Sequence, residues 1–192
     1  MFTAVICCLG MRSFRMAIDE LAVLRPRSEK SMSLYELFTE RARKVMYLAR
    51  DEAKRFDHAF IGTGHLLLGI VKEGNGVAPN VLKTLGFDYH AIEAEIQELS
   101  LKETQLNAAA ERSTPSTTKK VIAYALQEFR DLRCEYVDVE HLLLGLLRET
   151  DSVGVQVLMN HGLKPEIVRQ QVLDLLKRGA FNEVPPEPGR GD

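Results

Sequence analysis

The amino-acid sequence predicts an all-α protein built from two pseudo-symmetric four-helix repeats, with eight helices in all. The first observation is internal repetition: the segment His65–Gly69 reads His-Leu-Leu-Leu-Gly and recurs as His141–Gly145, 76 residues later. The same register relates residues 45–99 to residues 121–175 without a gap. The second observation is that apolar residues recur at steps of three and four, with no sustained period-two alternation. Two units are expected to share one core, because about 75 residues alone bury too little surface.

The first repeat is predicted over residues 34–101 and opens with an amphipathic helix. This helix should end near residues 56–58, and its apolar stripe is Phe38, Ala42, Val45, Ala49 and Ala53. A second helix, expected over residues 65–72 with Thr63 as its cap, is apolar nearly all round and should therefore be buried. Gly69 costs this helix about 1 kcal/mol of propensity, which is tolerable where another helix approaches closely.

Two shorter amphipathic helices complete the first repeat. Gly86 should end the third helix, which carries Val77, Val81, Leu82 and Leu85. Asp88 can cap the fourth, which carries Ile92, Ile96 and Leu99. The second repeat should follow the same plan, with its own leucine helix as the buried one.

The repeats leave three other segments. The second repeat is predicted over residues 115–177, after a polar linker at 102–114 that could be partly helical. Residues 1–33 are either an N-terminal extension, with a possible helix from residue 11 to 24, or the product of a mis-assigned start. Residues 178–192 are rich in proline and glycine and are expected to be a disordered tail.

Composition argues against several classes of partner. The formal net charge is −2, so the chain lacks the basic excess of a nucleic-acid binder. The apolar start of the chain lacks the leading positive charges of a signal peptide and is far shorter than a membrane helix of about 20 residues. The three cysteines form neither a disulfide framework nor a metal-ligand spacing. We therefore expect a cytoplasmic protein with no membrane partner.

Catalytic motifs are also missing from the sequence. Residues 69–74 have the glycine spacing of a phosphate-binding loop, but Asn75 follows where that loop has lysine. His65 and His141 are equivalent, and each starts a leucine-rich helix. We interpret both as packed residues bonded to backbone, because no other ligand type lies at useful spacing in both copies. The expectation is a protein that is not an enzyme and binds neither cofactor nor metal.

Several segments in order resemble the N-terminal domain of the Clp/Hsp100 unfoldases, the ClpC type most closely. Residues 38–45, Phe-Thr-Glu-Arg-Ala-Arg-Lys-Val, resemble the opening of that domain. Residues 61–69 resemble its Ile-Gly-Thr-Glu-His-Ile-Leu-Leu-Gly signature, and residues 73–78 its Glu-Gly-Glu-Gly-Val-Ala turn. Residues 168–172, Val-Arg-Gln-Gln-Val, match a further family segment. The resemblance covers about residues 34–176.

The resemblance implies a non-enzymatic module that binds adaptors, substrates or Clp subunits in ATP-dependent proteolysis. It also implies a candidate site for phosphoarginine, a degradation mark, at Thr39, Thr114 and Glu140. A carboxylate would accept from the guanidinium, while a hydroxyl and helix N-terminal amides would take the phosphate. The first repeat keeps Thr39 but has Gly64 in place of the glutamate. The second keeps Glu140, with Thr114 one residue earlier than the aligned position.

Two alternatives stay open at this stage. The chain could be the truncated N-terminal part of a ClpC-type ATP-binding subunit, which coding sequence for a phosphate-binding loop just downstream would favour. It could also be a small metal- or nucleotide-dependent enzyme, although no convergent set of titratable groups is visible in the sequence.

Overall fold

A computed structural model of the protein describes residues 34–58, 60–87, 89–109 and 115–178. A short 3-10 helix, Leu34–Leu37, precedes eight α-helices. The helices are α1 (Glu40–Arg55), α2 (Thr63–Glu73), α3 (Val77–Thr84), α4 (Tyr89–Ala109), α5 (Pro115–Asp131), α6 (Val139–Leu147), α7 (Val153–Asn160) and α8 (Pro165–Lys177). These ranges contain no strand beyond one isolated β-bridge. The prediction of an all-α double four-helix repeat is confirmed, while the possible helix at residues 11–24, the Asp88 cap and the tail after residue 178 lie outside the described residues.

The two leucine-rich helices, α2 and α6, form the centre of the molecule. Leu67 and Leu143 are fully buried, as the all-apolar surface of these helices predicts. Gly69 and Gly145 allow the close crossings with α1 and α5. A Cβ at Gly69 would lie 2.6 Å from the carbonyl oxygen of Val45, and one at Gly145 would lie 2.5 Å from that of Val121.

One hydrophobic core runs through both repeats. Helices α2 and α6 contact each other, α2 and α4 pack against α7, and α3 packs against α6 and α8. The buried apolar residues of the two repeats belong to a single cluster. Burial of this shared surface stabilises repeats that would each be marginal alone. No helix among the described residues has the length and apolar character needed to cross a membrane.

Local differences from the predicted helices have identifiable causes. The prediction that Thr63 caps α2 is wrong: Gly62 is the N-cap, and Thr63 is the first helical residue. The Thr63 hydroxyl instead accepts a hydrogen bond from the Gly154 amide at 3.2 Å, across the two repeats. Helix α4 continues to Ala109, through most of the predicted linker, because no glycine or proline interrupts the chain between residues 89 and 109.

Candidate functional site

The start of the first repeat lies against the second repeat just before α6. Phe38 and Val137 form the isolated parallel β-bridge. The Thr39 amide donates to the carbonyl oxygen of Val137 at 3.0 Å, and the Val137 amide donates to that of Leu37 at 2.7 Å. This bridge places the N-terminal turns of α1 and α6 side by side. Thr39 of one repeat and Glu140 of the other therefore lie in one region, although sequence comparison treats them as remnants of two separate sites.

Asp138 is the residue that links the two helix starts. Its carboxylate accepts from the Thr39 hydroxyl at 2.8 Å and from the Val139 amide at 2.8 Å. Its second oxygen pairs with Nη2 of Arg41 at 2.5 Å. The Thr39 hydroxyl also caps α1 by accepting from the Ala42 amide at 3.1 Å. We call Thr39, Arg41, Asp138 and Glu140 the inter-repeat site.

Glu140 projects into the inter-repeat site from the first turn of α6. It is only 9% exposed, and its Oε2 atom is buried without a hydrogen-bond partner. Desolvation by burial, reinforced by the negative charge of Asp138, raises the pKa of Glu140 to about 7, against the lowering effects of its backbone hydrogen bond and Arg41. A buried carboxylate with an open acceptor is a group that a cationic hydrogen-bond donor would satisfy.

Arg41 occupies the space beside these carboxylates. Desolvation by burial lowers its pKa, but the hydrogen bond and charge of Asp138, with the charges of Glu140 and Glu73, raise the pKa above its usual value overall. A Cβ on Gly76 would lie 3.1 Å from Nη1 of Arg41, and Gly76 has a φ of 93°. Glycine at this turn thus allows the positive φ angle and leaves room for the Arg41 guanidinium to lie close to the backbone.

The pseudo-symmetric counterpart of the inter-repeat site has lost its chemistry. Gly64 stands where Glu140 has its carboxylate, and Thr117 stands where Arg41 has its guanidinium. A Cβ on Gly64 would lie 2.7 Å from Cγ2 of Ile96, so a glutamate cannot be restored there without repacking. The Thr118 hydroxyl donates a hydrogen bond to the carbonyl oxygen of Ile61 at 2.7 Å in this region. Thr114, the third candidate residue, lies outside the described residues.

The two equivalent histidines close the first turns of the leucine helices. Nδ1 of His65 accepts from the Gly62 amide at 2.8 Å, and Nδ1 of His141 accepts from the Asp138 amide at 2.9 Å. The interpretation of both as packed residues bonded to backbone is confirmed. The neutral ring of His65 must then carry its proton on Nε2, which lies 2.9 Å from Nδ1 of His58.

This hydrogen bond favours the neutral forms of His58 and His65. A second proton on His65 would have to sit on Nδ1, against the Gly62 amide, and a proton on Nδ1 of His58 would oppose the Nε2–H donor of His65. Sequence reasoning missed this contact between His58 and His65. Desolvation by burial, reinforced by His58, lowers the pKa of His65 to about 4. Among the described residues, no group of three or more histidine, cysteine, aspartate or glutamate side chains could hold a metal ion.

Comparison with known proteins identifies the family to which the chain belongs. The family model described as the Clp repeat (R) N-terminal domain matches residues 37–118 and again residues 112–189. The chain belongs to this family. The two matches cover the two repeats, and the resemblance inferred from the sequence motifs is confirmed.

Relatives of this Clp N-domain chain are much longer proteins. The chloroplastic chaperone protein ClpC1 of Arabidopsis thaliana is 40% identical over 159 residues, which are 83% of this chain and 17% of the relative. The negative regulator of genetic competence ClpC/MecB of Bacillus subtilis is 43% identical over 143 residues, 74% of this chain and 17% of the relative. The chain thus spans less than a fifth of these curated relatives.

Solved structures share the fold. The N-terminal domain of the caseinolytic protease associated chaperone ClpD from Arabidopsis thaliana has a TM-score of 0.55 at 24% identity, covering 78% of this chain and 99% of that domain. The Hsp104 N-terminal domain from Candida albicans has a TM-score of 0.57 at 20% identity, covering 75% of this chain and 93% of that domain.

Proposed function

We propose that this Clp N-domain chain is a non-enzymatic protein-binding module, which presents adaptors, substrates or Clp subunits to ATP-dependent proteolysis. Family membership supports the class of function, since curated relatives are named as Clp protease ATP-binding subunits and chaperones. The observation that carries the proposal is Glu140, whose buried Oε2 has no partner at the junction of the two repeats. A pre-formed acceptor of this kind is what a protruding cationic side chain would need.

The ligand that the family resemblance implies is phosphoarginine on an unfolded or marked protein. Glu140 would accept from the guanidinium, while Thr39 and the first amides of α6 would take the phosphate. Asp138 works against this arrangement, because it holds the Thr39 hydroxyl and the Arg41 guanidinium. Gly62, its counterpart in the first repeat, has no side chain. Phosphoarginine can therefore enter only if the ion pair between Arg41 and Asp138 opens. The free energy needed to break this pair should weaken phosphoarginine binding.

Calorimetry tests the proposal with two peptides that differ only in phosphorylation of one arginine. Glu140→Gln should weaken binding of the preferred peptide by about tenfold or more, because a hydrogen bond to a charged group contributes about 1.5–3 kcal/mol. Glu135→Gln, an exposed carboxylate on the preceding loop, is the matched control and should change little. Asp138→Gly should tighten binding of the phosphorylated peptide. Absence of heat for both peptides with the wild type and with Asp138→Gly would refute the inter-repeat site.

A second candidate is that the chain is part of a ClpC-type ATP-binding subunit. The observation that favours it is the small share of each curated relative that the chain covers. Sequencing the gene downstream of the codon for Asp192 tests this second candidate. An in-frame phosphate-binding loop would support it, and an unrelated gene starting directly downstream would oppose it. In either case we propose action in the compartment that holds the Clp protease, which we expect to be the cytoplasm.

A further inference from the structure

A buried glutamate occurs at the same register position in both repeats, as Glu52 in α1 and as Glu128 in α5. Glu52 is 1% exposed and Glu128 is 3% exposed. In the first repeat, the hydroxyl of Tyr89 donates to Oε1 of Glu52 at 3.0 Å and accepts from Nη2 of Arg55 at 2.8 Å. Nζ of Lys72 lies 5.6 Å from the centroid of the Tyr89 ring. The phenol of Tyr89 thus fills the space beside the buried carboxylate.

The second repeat has no such side chain. Pro165, at the first position of α8, stands where the first repeat has Tyr89. A hollow of about 390 Å³ remains beside Pro165, lined by residues of α5, α8 and the C-terminal end of α6 with its C-cap, among them Glu128, Arg148 and Arg169. Each of these lining residues is the register counterpart of a residue in the environment of Tyr89: Glu52, Lys72 and Glu93, respectively. Asp131, which also lines the hollow, is the counterpart of Arg55, so a donor to a phenol oxygen would have to come from Arg148 or Arg169 instead. The hollow thus lies at the register equivalent of the tyrosine position.

The walls of the hollow offer the groups that a phenol needs. Arg169 binds both carboxylate oxygens of Glu128 at 2.9 Å, and Arg148 lies 3.6 Å from Oε1. A carboxylate has about four lone-pair positions, so Glu128 can still accept from a hydroxyl. Arg148 and Arg169 remain 38% and 39% exposed, and their guanidinium groups can donate to the phenol oxygen or lie over its ring. Arg148 already lies 4.5 Å over the ring of Tyr124.

We propose that this hollow binds a tyrosine side chain of a partner polypeptide. The argument is the internal template: the same scaffold, one repeat earlier, holds a tyrosine of its own chain against the equivalent buried carboxylate. The hollow lies at the C-terminal end of α6, whereas the inter-repeat site lies at its N-terminal end. The nine residues of α6 separate the two by about 13 Å. A bound segment of about four extended residues could span both sites.

Titration followed by backbone amide NMR shifts tests the proposal on the full chain. The probes are N-acetyl-tyrosinamide, N-acetyl-phenylalaninamide and N-acetyl-leucinamide. We expect saturable shifts at Arg148, Glu166 and Arg169, with the tyrosine probe about three- to tenfold tighter than phenylalanine because of its hydroxyl. Contacts between probe ring protons and the Pro165 side chain, observed as nuclear Overhauser effects, give a readout in the wild type that needs no variant.

Pro165→Tyr should abolish these shifts, because the new side chain would fill the hollow as Tyr89 does in the first repeat. Ile167→Tyr, which adds the same side chain at an exposed position on α8, is the matched control and should bind as the wild type does. The proposal is overturned if the tyrosine probe causes no saturable shifts. It is also overturned if the leucine and tyrosine probes bind equally, or if the folded Pro165→Tyr variant binds as the wild type does. None of these results depends on Glu140 or on phosphoarginine.

Discussion

Replacing Gly145 by alanine should destabilise the protein, although the same change in an exposed helix is stabilising. Gly145 lies where α6 crosses α5. A Cβ there would lie 2.5 Å from the carbonyl oxygen of Val121 and 2.6 Å from the amide nitrogen of Ala125. Both obstacles are backbone atoms of a helix, so no side-chain rotation can relieve the contact. The two helices must separate for the methyl group to fit.

The size of the loss follows from these distances. Ordinary contact begins near 3.4 Å, so the helices must separate by about 1 Å. A gap of that size forfeits a quarter to a half of the dispersion energy of the atoms that line it. Overpacking of a core costs about 1–3 kcal/mol, while replacement of a helical glycine by alanine returns up to about 1 kcal/mol of propensity. Because the obstacle is rigid, we expect a net loss of about 2 kcal/mol, or a fall of about 4–8 °C in Tm.

Urea unfolding followed by circular dichroism measures this change, with two related variants for comparison. Gly69→Ala should cost somewhat less, since its Cβ would lie 2.6 Å from one backbone atom and 3.1 Å from the next. Gly64→Ala should cost least, because its closest obstacle is Cγ2 of Ile96, a side-chain atom that can shift. A neutral or stabilising Gly145→Ala would show that the crossing distance does not limit the packing of α5 on α6.

Three further predictions concern the core and the titrating groups. Leu67→Ala and Leu143→Ala should each lower the free energy of unfolding by about 2–5 kcal/mol in the same urea experiment, and losses below about 1 kcal/mol would contradict their full burial. The pKa of His65 is about 4 in the folded protein and about 6.5 in the unfolded chain, so the free energy of unfolding should fall by about 2 kcal/mol between pH 7 and pH 5. His65→Gln, whose side chain can keep the hydrogen bond to the Gly62 amide, should reduce this dependence of stability on pH. An unchanged dependence on pH would contradict the role of His65. Glu140 should titrate near pH 7 by carboxyl NMR, and Asp138→Asn should lower that value; titration near pH 4.5 in the wild type would refute the electrostatic account.

The helices were predictable from the sequence because periodicity and helix signals agree with the packing. The all-apolar surface of α2 and α6 predicts their burial, and Gly69 indicates a close helix approach, which the structure shows to be that of α1. The cap of α2 was not predictable in the same way. Thr63 has the right chemistry for a cap, but its hydroxyl is bonded to Gly154, 91 residues further along the chain. A long-range hydrogen bond of this kind leaves no local pattern in the sequence.

The inter-repeat site was half predictable, for a related reason. Thr39 and Glu140 could be recognised singly, but the alignment of the repeats places them in different copies. The first repeat keeps the threonine and lacks the glutamate, while the second keeps the glutamate and lacks the threonine at the aligned position. The bridge between Phe38 and Val137 brings these halves together, and that pairing depends on how the two repeats face each other. Asp138 was not among the candidate residues named from the sequence, whereas the structure makes it a hydrogen-bonding partner of both Thr39 and Arg41.

Departures from the repeat register mark the places where the two copies differ in chemistry. Matched positions such as Gly69 and Gly145 serve a fold that both copies need. Two mismatched positions lie in the proposed binding regions at opposite ends of α6. Asp138 is the register counterpart of Gly62 and adds a carboxylate at the N-terminal end of α6. Pro165 is the register counterpart of Tyr89 and leaves a hollow at the C-terminal end of α6. Both departures lie in the second repeat, so each proposed binding region uses side chains of that repeat, and Thr39 and Arg41 add the contribution of the first repeat to the inter-repeat site.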